Sequence, residues 1–254
     1  MPEGLEAEIW RSALEPIVGR TITDVWVDER VAPSGFVDAV IGASIVGVHR
    51  VGKVVVLDGP DIGLHFGMTG RIVVDGTAPI DRLQYASGRD EPEWDRLRLF
   101  TDDRPVAGLR FNDPRRLGRV SIDPDLSGLG VDFTAVTATR LARAIGGRHG
   151  PVKSVLLDQH AIAGLGNMCA DEVLWWAGID PHRPASSLDG DEVGALARAI
   201  RRRLPVMLRC GGSHCGTLSP EVRAACPPCE RDGSPLRRDT IGGRTAVWCR
   251  EHQR

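Results

Sequence analysis

Asp123-Pro124-Asp125-Leu126-Ser127-Gly128-Leu129-Gly130 is where the chain changes texture. Proline, two aspartates and two glycines within eight residues suit neither a helix nor a strand interior, so the segment reads as a hinge, drawn here over residues 123–133. Upstream, Leu5, Ile9, Ala13 and Ile17 recur every four residues, the apolar stripe of an amphipathic helix that Trp10 and Leu14 widen. After Gly19 come short β-rich runs at 22–27, 44–57, 63–74, 96–100 and 106–122, punctuated by Gly, Pro and Asp as in a β-sandwich or barrel. Downstream, the pattern is helical from about Thr134, which reads as a cap, to about Leu208. Asp180-Pro181-His182-Arg183-Pro184 interrupts it, and Asp189 with Glu192 three residues on has the form of a capping box. The last stretch carries cysteines around a Gly242-Gly243 turn, the texture of a β-hairpin. The fold class is therefore α+β, with domains at 1–122, 134–220 and 221–254.

Of 32 cationic side chains among 254 residues, only Lys53 and Lys153 are lysines. Arginine is a planar fork that is always charged, whereas lysine is a compact point charge on a flexible stem. Two retained ammonium groups point to places where a guanidinium does not fit or a proton must move. Lys53 sits in Val51-Gly52-Lys53-Val54, read as a strand entered through a glycine, and Lys153 opens a helical run. A net charge of −2 argues against a uniformly basic nucleic-acid binder but leaves room for local clusters, at Arg115-Arg116 with Arg119, at Arg201-Arg202-Arg203 and at Arg237-Arg238. No apolar run reaches the ~18 residues of a membrane span. The start, Met1-Pro2-Glu3-Gly4-Leu5-Glu6, lacks the pattern of a signal peptide. A cytoplasmic protein with reduced cysteines is expected, and there clustered cysteines suggest metal before disulfide.

Cys226-Pro227-Pro228-Cys229, then nineteen residues, then Cys249-Arg250-Glu251-His252 places two pairs of soft ligands on either side of a hairpin. That spacing matches one closed, tetrahedral structural Zn2+ site. Two alternatives stay open: an iron–sulfur cluster on Cys210, Cys215, Cys226 and Cys229, and a fourth ligand from His214 or Cys215 in place of His252. Ala163-Gly164-Leu165-Gly166-Asn167 is a glycine-rich turn whose backbone N–H groups can approach a phosphate. Phe111-Asn112-Asp113-Pro114-Arg115-Arg116-Leu117-Gly118 puts two arginines and an apolar tip on one loop, and His65-Phe66-Gly67-Met68-Thr69-Gly70 is a second loop. Anchors for phosphate and a wedge are what extruding a nucleotide from a duplex requires. No H-E-x-x-H is present, so a zinc hydrolase is a poor reading.

In order along the chain, Met1-Pro2-Glu3, the Gly52-Lys53 strand, Leu64 to Gly70, Asn112 to Arg116, Leu156-Leu157-Asp158-Gln159, Gly164 to Asn167 and the terminal cysteine hairpin resemble the formamidopyrimidine-DNA glycosylase/endonuclease VIII family. The resemblance implies an N-terminal helix and β-sandwich, a helical domain with a helix–two-turn–helix, and a zinc-finger hairpin, with damaged double-stranded DNA between the halves of a monomer. It implies a bacterial-type, nucleoid-associated enzyme that removes oxidised bases and cuts the strand. Once Met1 is removed, Pro2 would be the nucleophile, its amine starting from a pKa of ~7.7–8 and pushed lower by Lys53. Glu3 would serve as acid/base at the sugar and Glu6 as a supporting carboxylate. Lys53, Lys153, Asn167 and Arg244 would grip phosphates, while Met68, Arg115 and Leu117 would fill the vacated space. Cys226, Cys229, Cys249 and His252 would hold zinc. Three departures stand out: Leu117 where a phenylalanine is usual, Cys226 only fifteen positions after Gly211, and a final His252 in place of cysteine. The first two weaken the link to 8-oxoguanine. A lesion-binding, non-catalytic relative is the rival reading.

Overall fold

The computed structural model describes residues 2–80, 83, 88–102 and 107–254; the expected removal of Met1 falls outside them. The chain divides into two compact units, residues 6–126 with Pro2, and residues 127–254 with Glu3–Leu5.

The first unit holds most of α1 (Gly4–Ala13), then β1 (Ile22–Val27), α2 (Phe36–Val40), β2 (Gly47–Val51), β3 (Val54–Asp58), β4 (Ile62–His65), β5 (Arg71–Val74), β6 (Asp95–Thr101), β7 (Ala107–Asn112) and β8 (Arg119–Ile122). Two four-stranded sheets form, in the orders β1-β6-β7-β5 and β2-β3-β4-β8, and every pairing in them is antiparallel. One core takes side chains from both sheets, among them Leu57, Leu64, Leu99, Leu109 and Phe111, together with Trp10 of α1 and Leu14 just after it. This is the sandwich that alternating β-rich runs imply.

Three of the long runs break in two, each at a turn. The run at 44–57 becomes a β2–β3 hairpin, with Gly52 at φ 60° in a two-residue turn closed by the Val51–Val54 pair. Lys53 therefore occupies the hairpin tip, not a strand interior; glycine as the first turn residue relieves the φ > 0 that such turns demand. The runs at 63–74 and 106–122 each cross from one sheet to the other, through Phe66–Gly70 and Asp113–Gly118. The α1 helix is shorter than its stripe suggests, ending in a 3-10 turn at Glu15–Ile17 where Pro16 follows.

The two crossing loops are tied together. Asp113, fully buried, accepts from the N–H groups of Leu117 and Gly118, both at 2.7 Å, and from the Thr69 hydroxyl. At Gly67, with φ 57°, a Cβ would overlap the Leu117 carbonyl.

The second unit contains β9 (Val131–Asp132), α3 (Ala138–Ile145), α4 (Val152–Leu157), β10 (Ile162–Ala163), α5 (Asn167–Ala177), α6 (Gly190–Cys210), α7 (Pro220–Ala225), β11 (Arg237–Ile241) and β12 (Arg244–Trp248). Thr137, not Thr134, caps α3, accepting from the Arg140 N–H, because Thr134 lies in a 3-10 turn capped by Asp132. Asp189 and Glu192 form the expected capping box at the start of α6, which continues through Pro205. Leu141, Leu156, Leu174, Leu196 and Ile200 pack into the helical core, with Leu5 of α1 among them. A smaller cluster of Trp175, Leu218, Leu236 and Val247 seats the β11–β12 hairpin. Among the described residues no helix is long and apolar enough to cross a membrane.

Replacing Asp113 with alanine strands four donors, the Thr69 hydroxyl and the N–H groups of Arg115, Leu117 and Gly118, of which those of Thr69 and Gly118 are buried. Unsatisfied buried donors cost about 1–3 kcal/mol each before relaxation. We expect Asp113→Ala to lower stability by about 3 kcal/mol in chemical denaturation; a loss under about 0.5 kcal/mol, the usual range for surface changes, would mean the loops are held by other means.

Candidate functional site

The second unit is organised around the N-terminus of α5. That helix has no cap of its own: Gly166 precedes it and offers no side chain. The exposed donors are met instead by Glu3, distant in sequence. Its carboxylate accepts from Gly166 N (3.1 Å), Met168 N (2.8 Å) and Cys169 N (3.1 Å), and it is 2% exposed. An acid at the positive end of a helix dipole is favourable, and here it also satisfies donors that would otherwise be orphaned. A Cβ on Gly166 would overlap the Glu3 carboxyl group, which accounts for the second glycine of the motif. The first glycine, Gly164, accepts from Gly4 N at 2.8 Å, so the start of α1 is pinned to the same turn. Asn167, the first residue of α5, is half-buried, and its Oδ1 is enclosed without a hydrogen-bond partner.

One turn further along α5, Asp171 binds the hairpin. It accepts from Val247 N at 3.0 Å and from Arg223 Nη1 at 2.5 Å, and forms an ion pair with Lys153 Nζ at 2.7 Å. Lys153 is 0% exposed and also donates to the Thr245 carbonyl at 2.6 Å. Burial pushes its pKa down, opposed by Asp171. The expected phosphate-gripping ammonium thus faces inward. Arg244 is exposed, immediately after the Gly242-Gly243 turn, whose φ values of 57° and 72° suit a two-residue hairpin.

Cys229, Asp232, Cys249 and His252 bring one donor atom each to within 4.8 Å of one another. The Cys229 Sγ–His252 Nδ1, Cys249 Sγ–Asp232 Oδ2 and His252 Nδ1–Asp232 Oδ2 separations are 3.3, 3.2 and 3.5 Å. A tetrahedron with bonds of about 2.0–2.3 Å has edges of about 3.3–3.8 Å, so the set fits a tetrahedral ion. The other ring nitrogen, His252 Nε2, lies 3.0 Å from the Trp175 carbonyl, an orienting contact that points Nδ1 into the cluster. Cys226 is not in this cluster: it ends α7 at φ 45°, with Sγ 3.7 Å from the Arg223 carbonyl. Asp232, overlooked because the spacing of cysteines and histidine already gave four donors, takes its place. Cys210, Cys215, Cys226 and Cys229 form no metal-competent group among the described residues.

In the first unit, Arg50 donates to Glu8 at 2.9 Å and to the Gly52 carbonyl at 2.8 Å, fixing the hairpin tip that carries the half-buried Lys53 against α1. Across the β3–β4 pair, His65 stands opposite Val54. Although His65 is exposed at the surface, desolvation by the groups packed around its imidazole lowers its pKa, and the positive charges of Lys53 and Arg119 lower it further. Nothing in the local sequence around His65 marks it; only strand register brings it beside Lys53. On the tied loops, Met68 is half-buried, while Arg115 and Leu117 are exposed, Leu117 at 44%. Pro2 and Glu6 are buried. Arg116 turns away to pair with Asp28 at 2.9 Å.

Models of the formamidopyrimidine-DNA glycosylase N-terminal and H2TH domains match residues 1–120 and 128–219. The formamidopyrimidine-DNA glycosylase of Paracoccus denitrificans is 37% identical over 232 residues, spanning 84% of this chain and 80% of that protein. Among solved structures, the MutM (Fpg) protein of Thermus thermophilus has a TM-score of 0.80 at 28% identity, over 99% of this chain and 98% of that one. Lactococcus lactis Fpg (MutM), solved with N7-benzyl-Fapy-dG-containing DNA, has a TM-score of 0.81 at 25% identity over 100% of both chains. With its Pro2-Glu3 start, glycine-bounded α5 and terminal metal-competent hairpin, the chain belongs to the formamidopyrimidine-DNA glycosylase/endonuclease VIII family.

Proposed function

We propose that this protein is a base-excision-repair DNA glycosylase with abasic-site lyase activity, acting on oxidised bases in double-stranded DNA. The observation that carries the reading is the chain start, where Pro2 precedes a Glu3 whose carboxylate is immobilised by three backbone N–H groups. With Met1 removed, the neutral Pro2 nitrogen attacks the sugar C1′, and the bond to the base breaks with its electron pair leaving on the base. Ring opening gives an iminium, necessarily cationic because a proline nitrogen has no second proton to lose. The cation draws electrons from C2′, whose proton leaves, and the 3′ phosphate departs; a second elimination releases the 5′ phosphate. Glu3 moves the proton at the ring oxygen, with Glu6 as a supporting carboxylate. Lys53, His65, Asn167 and Arg244 hold phosphates around the extruded nucleotide, and Met68, Arg115 and Leu117 occupy its place in the duplex.

The hairpin fits one zinc ion, held by Cys229, Cys249, His252 and Asp232. Such an ion supplies folding stability and no chemistry, since four protein donors leave no open position. Its effect is to fix the strand that carries Arg244.

In a panel of duplexes containing formamidopyrimidine, 8-oxoguanine, thymine glycol, dihydrouracil or an abasic site, the abasic duplex and at least one oxidised base should be cut, and a tag that leaves residues before Pro2 should abolish cutting. Undiminished cutting by the tagged protein would remove Pro2 as nucleophile, while specific binding without cutting by the untagged protein would favour the non-catalytic reading. Purified protein should contain about one zinc per chain and be colourless. Asp232→Asn should weaken zinc retention against a chelator at least tenfold and Cys226→Ser should not; the reverse order would restore Cys226 as the fourth ligand.

A further inference from the structure

Lys153, Asp171 and Arg223 are all buried, at 0%, 1% and 6% exposure, and the proposed chemistry uses none of them. They come from three helices. Lys153 is the second residue of α4, Asp171 stands one turn from Asn167 on α5, and Arg223 is on α7. Two cations share one carboxylate, Lys153 on Oδ1 at 2.7 Å and Arg223 on Oδ2 at 2.5 Å. The same two cations also share one backbone carbonyl, that of Thr245, at 2.6 and 3.1 Å. The carboxylate closes the ring by accepting Val247 N at 3.0 Å.

Buried charges are tolerated only where each is paired and hydrogen-bonded. Asp171 pairs both cations, and β12 supplies the remaining partners, the Thr245 carbonyl for the two cations and the Val247 N–H for the carboxylate. Thr245 directly follows Arg244, and Val247 lies two residues beyond it. The turn before Arg244 also abuts α4, since a Cβ on Gly242 would lie 2.6 Å from Ser154 Oγ. Two ring contacts at Thr245 and Val247, and a third at the turn, therefore bracket the exposed arginine. The choice of lysine follows as well. One guanidinium already spans Asp171 and Thr245, and a fully enclosed site has no room for a second fork, whereas an ammonium reaches both acceptors as a point charge.

We infer that Lys153 is a positioning residue, which with Arg223 and Asp171 sets the bearing of Arg244, and that it does not itself touch DNA. This rests on the reading of Arg244 as a phosphate contact. Because the chain has only two lysines, an amine-modifying reagent followed by mass spectrometry reports on each separately. In wild-type protein, Lys153 should stay unmodified both alone and with a duplex carrying a tetrahydrofuran abasic analogue, while Lys53 is modified alone and shielded by the duplex. A Lys153 that is modified alone and shielded by DNA overturns the inference.

The salt dependence of binding gives a second arm. Arg244→Ala should lower the slope of log Kd against log salt by about 0.9, the value for one phosphate. Lys153→Met should lower it similarly, and the double variant no further, because the second change acts through the first. Additive losses, near twice that value, overturn the inference. If the wild-type protein bound no duplex at all, the glycosylase reading would fall. Amide exchange across residues 237–248 in Lys153→Met would then decide this one, faster exchange supporting it and unchanged exchange refuting it.

Discussion

Everything in the second unit depends on the donors at the start of α5 being satisfied by a carboxylate from the other end of the chain. A helix that begins on glycine leaves its first N–H groups without a local acceptor, and burying them bare costs more than a single hydrogen bond returns. Glu3 supplies the acceptor. The same bond fixes the acid and, by one peptide link, constrains the residue before it. Gly166 has no alternative there, because any side chain would enter the volume of the carboxyl group. A turn later, Asp171 repeats the device in the other direction, taking a backbone N–H and two cations to hold the metal-competent hairpin. One helix thus carries the acid at its tip and the clamp for an arginine on its flank.

Those two carboxylates show why sequence reading succeeds for elements and falters for partners. Glu3 is recognisable by position, yet composition alone assigns it to the dipole of its own helix, α1; that it caps α5 is a contact across 163 residues that no local pattern encodes. The capping box at Asp189 and Glu192, the Gly242-Gly243 turn and the change of texture at 123–130 are local, and they were legible. The Gly52-Lys53 turn was less so, because a valine-rich run on both sides hides a two-residue reversal. His65 became visible only through strand register. In the hairpin, spacing found three of the cluster's four donors; Asp232 escaped because an aspartate next to a glycine reads first as a turn residue, and Cys226 was drawn in by its neighbour Cys229.

The scarcity of lysine turns out to carry two meanings. Lys53 stands at a hairpin tip steadied by Arg50 and Glu8, close enough to His65 to hold that imidazole's pKa down. Lys153 is enclosed. Compactness explains both: at the tip an ammonium needs little space beside its neighbours, and in the interior it completes a ring already occupied by one guanidinium. Arginine serves elsewhere, as at Arg116, where a fork can reach Asp28 on the surface without displacing packing.

The central claim, that the reaction passes through the nitrogen of Pro2, is tested most directly by locating the covalent link. The protein is reacted with abasic-site DNA, reduced with borohydride, digested and mapped by mass spectrometry. The account predicts a single reduced adduct on the peptide that begins at Pro2. An adduct on the peptide containing Lys53, with an unmodified N-terminus, would contradict it.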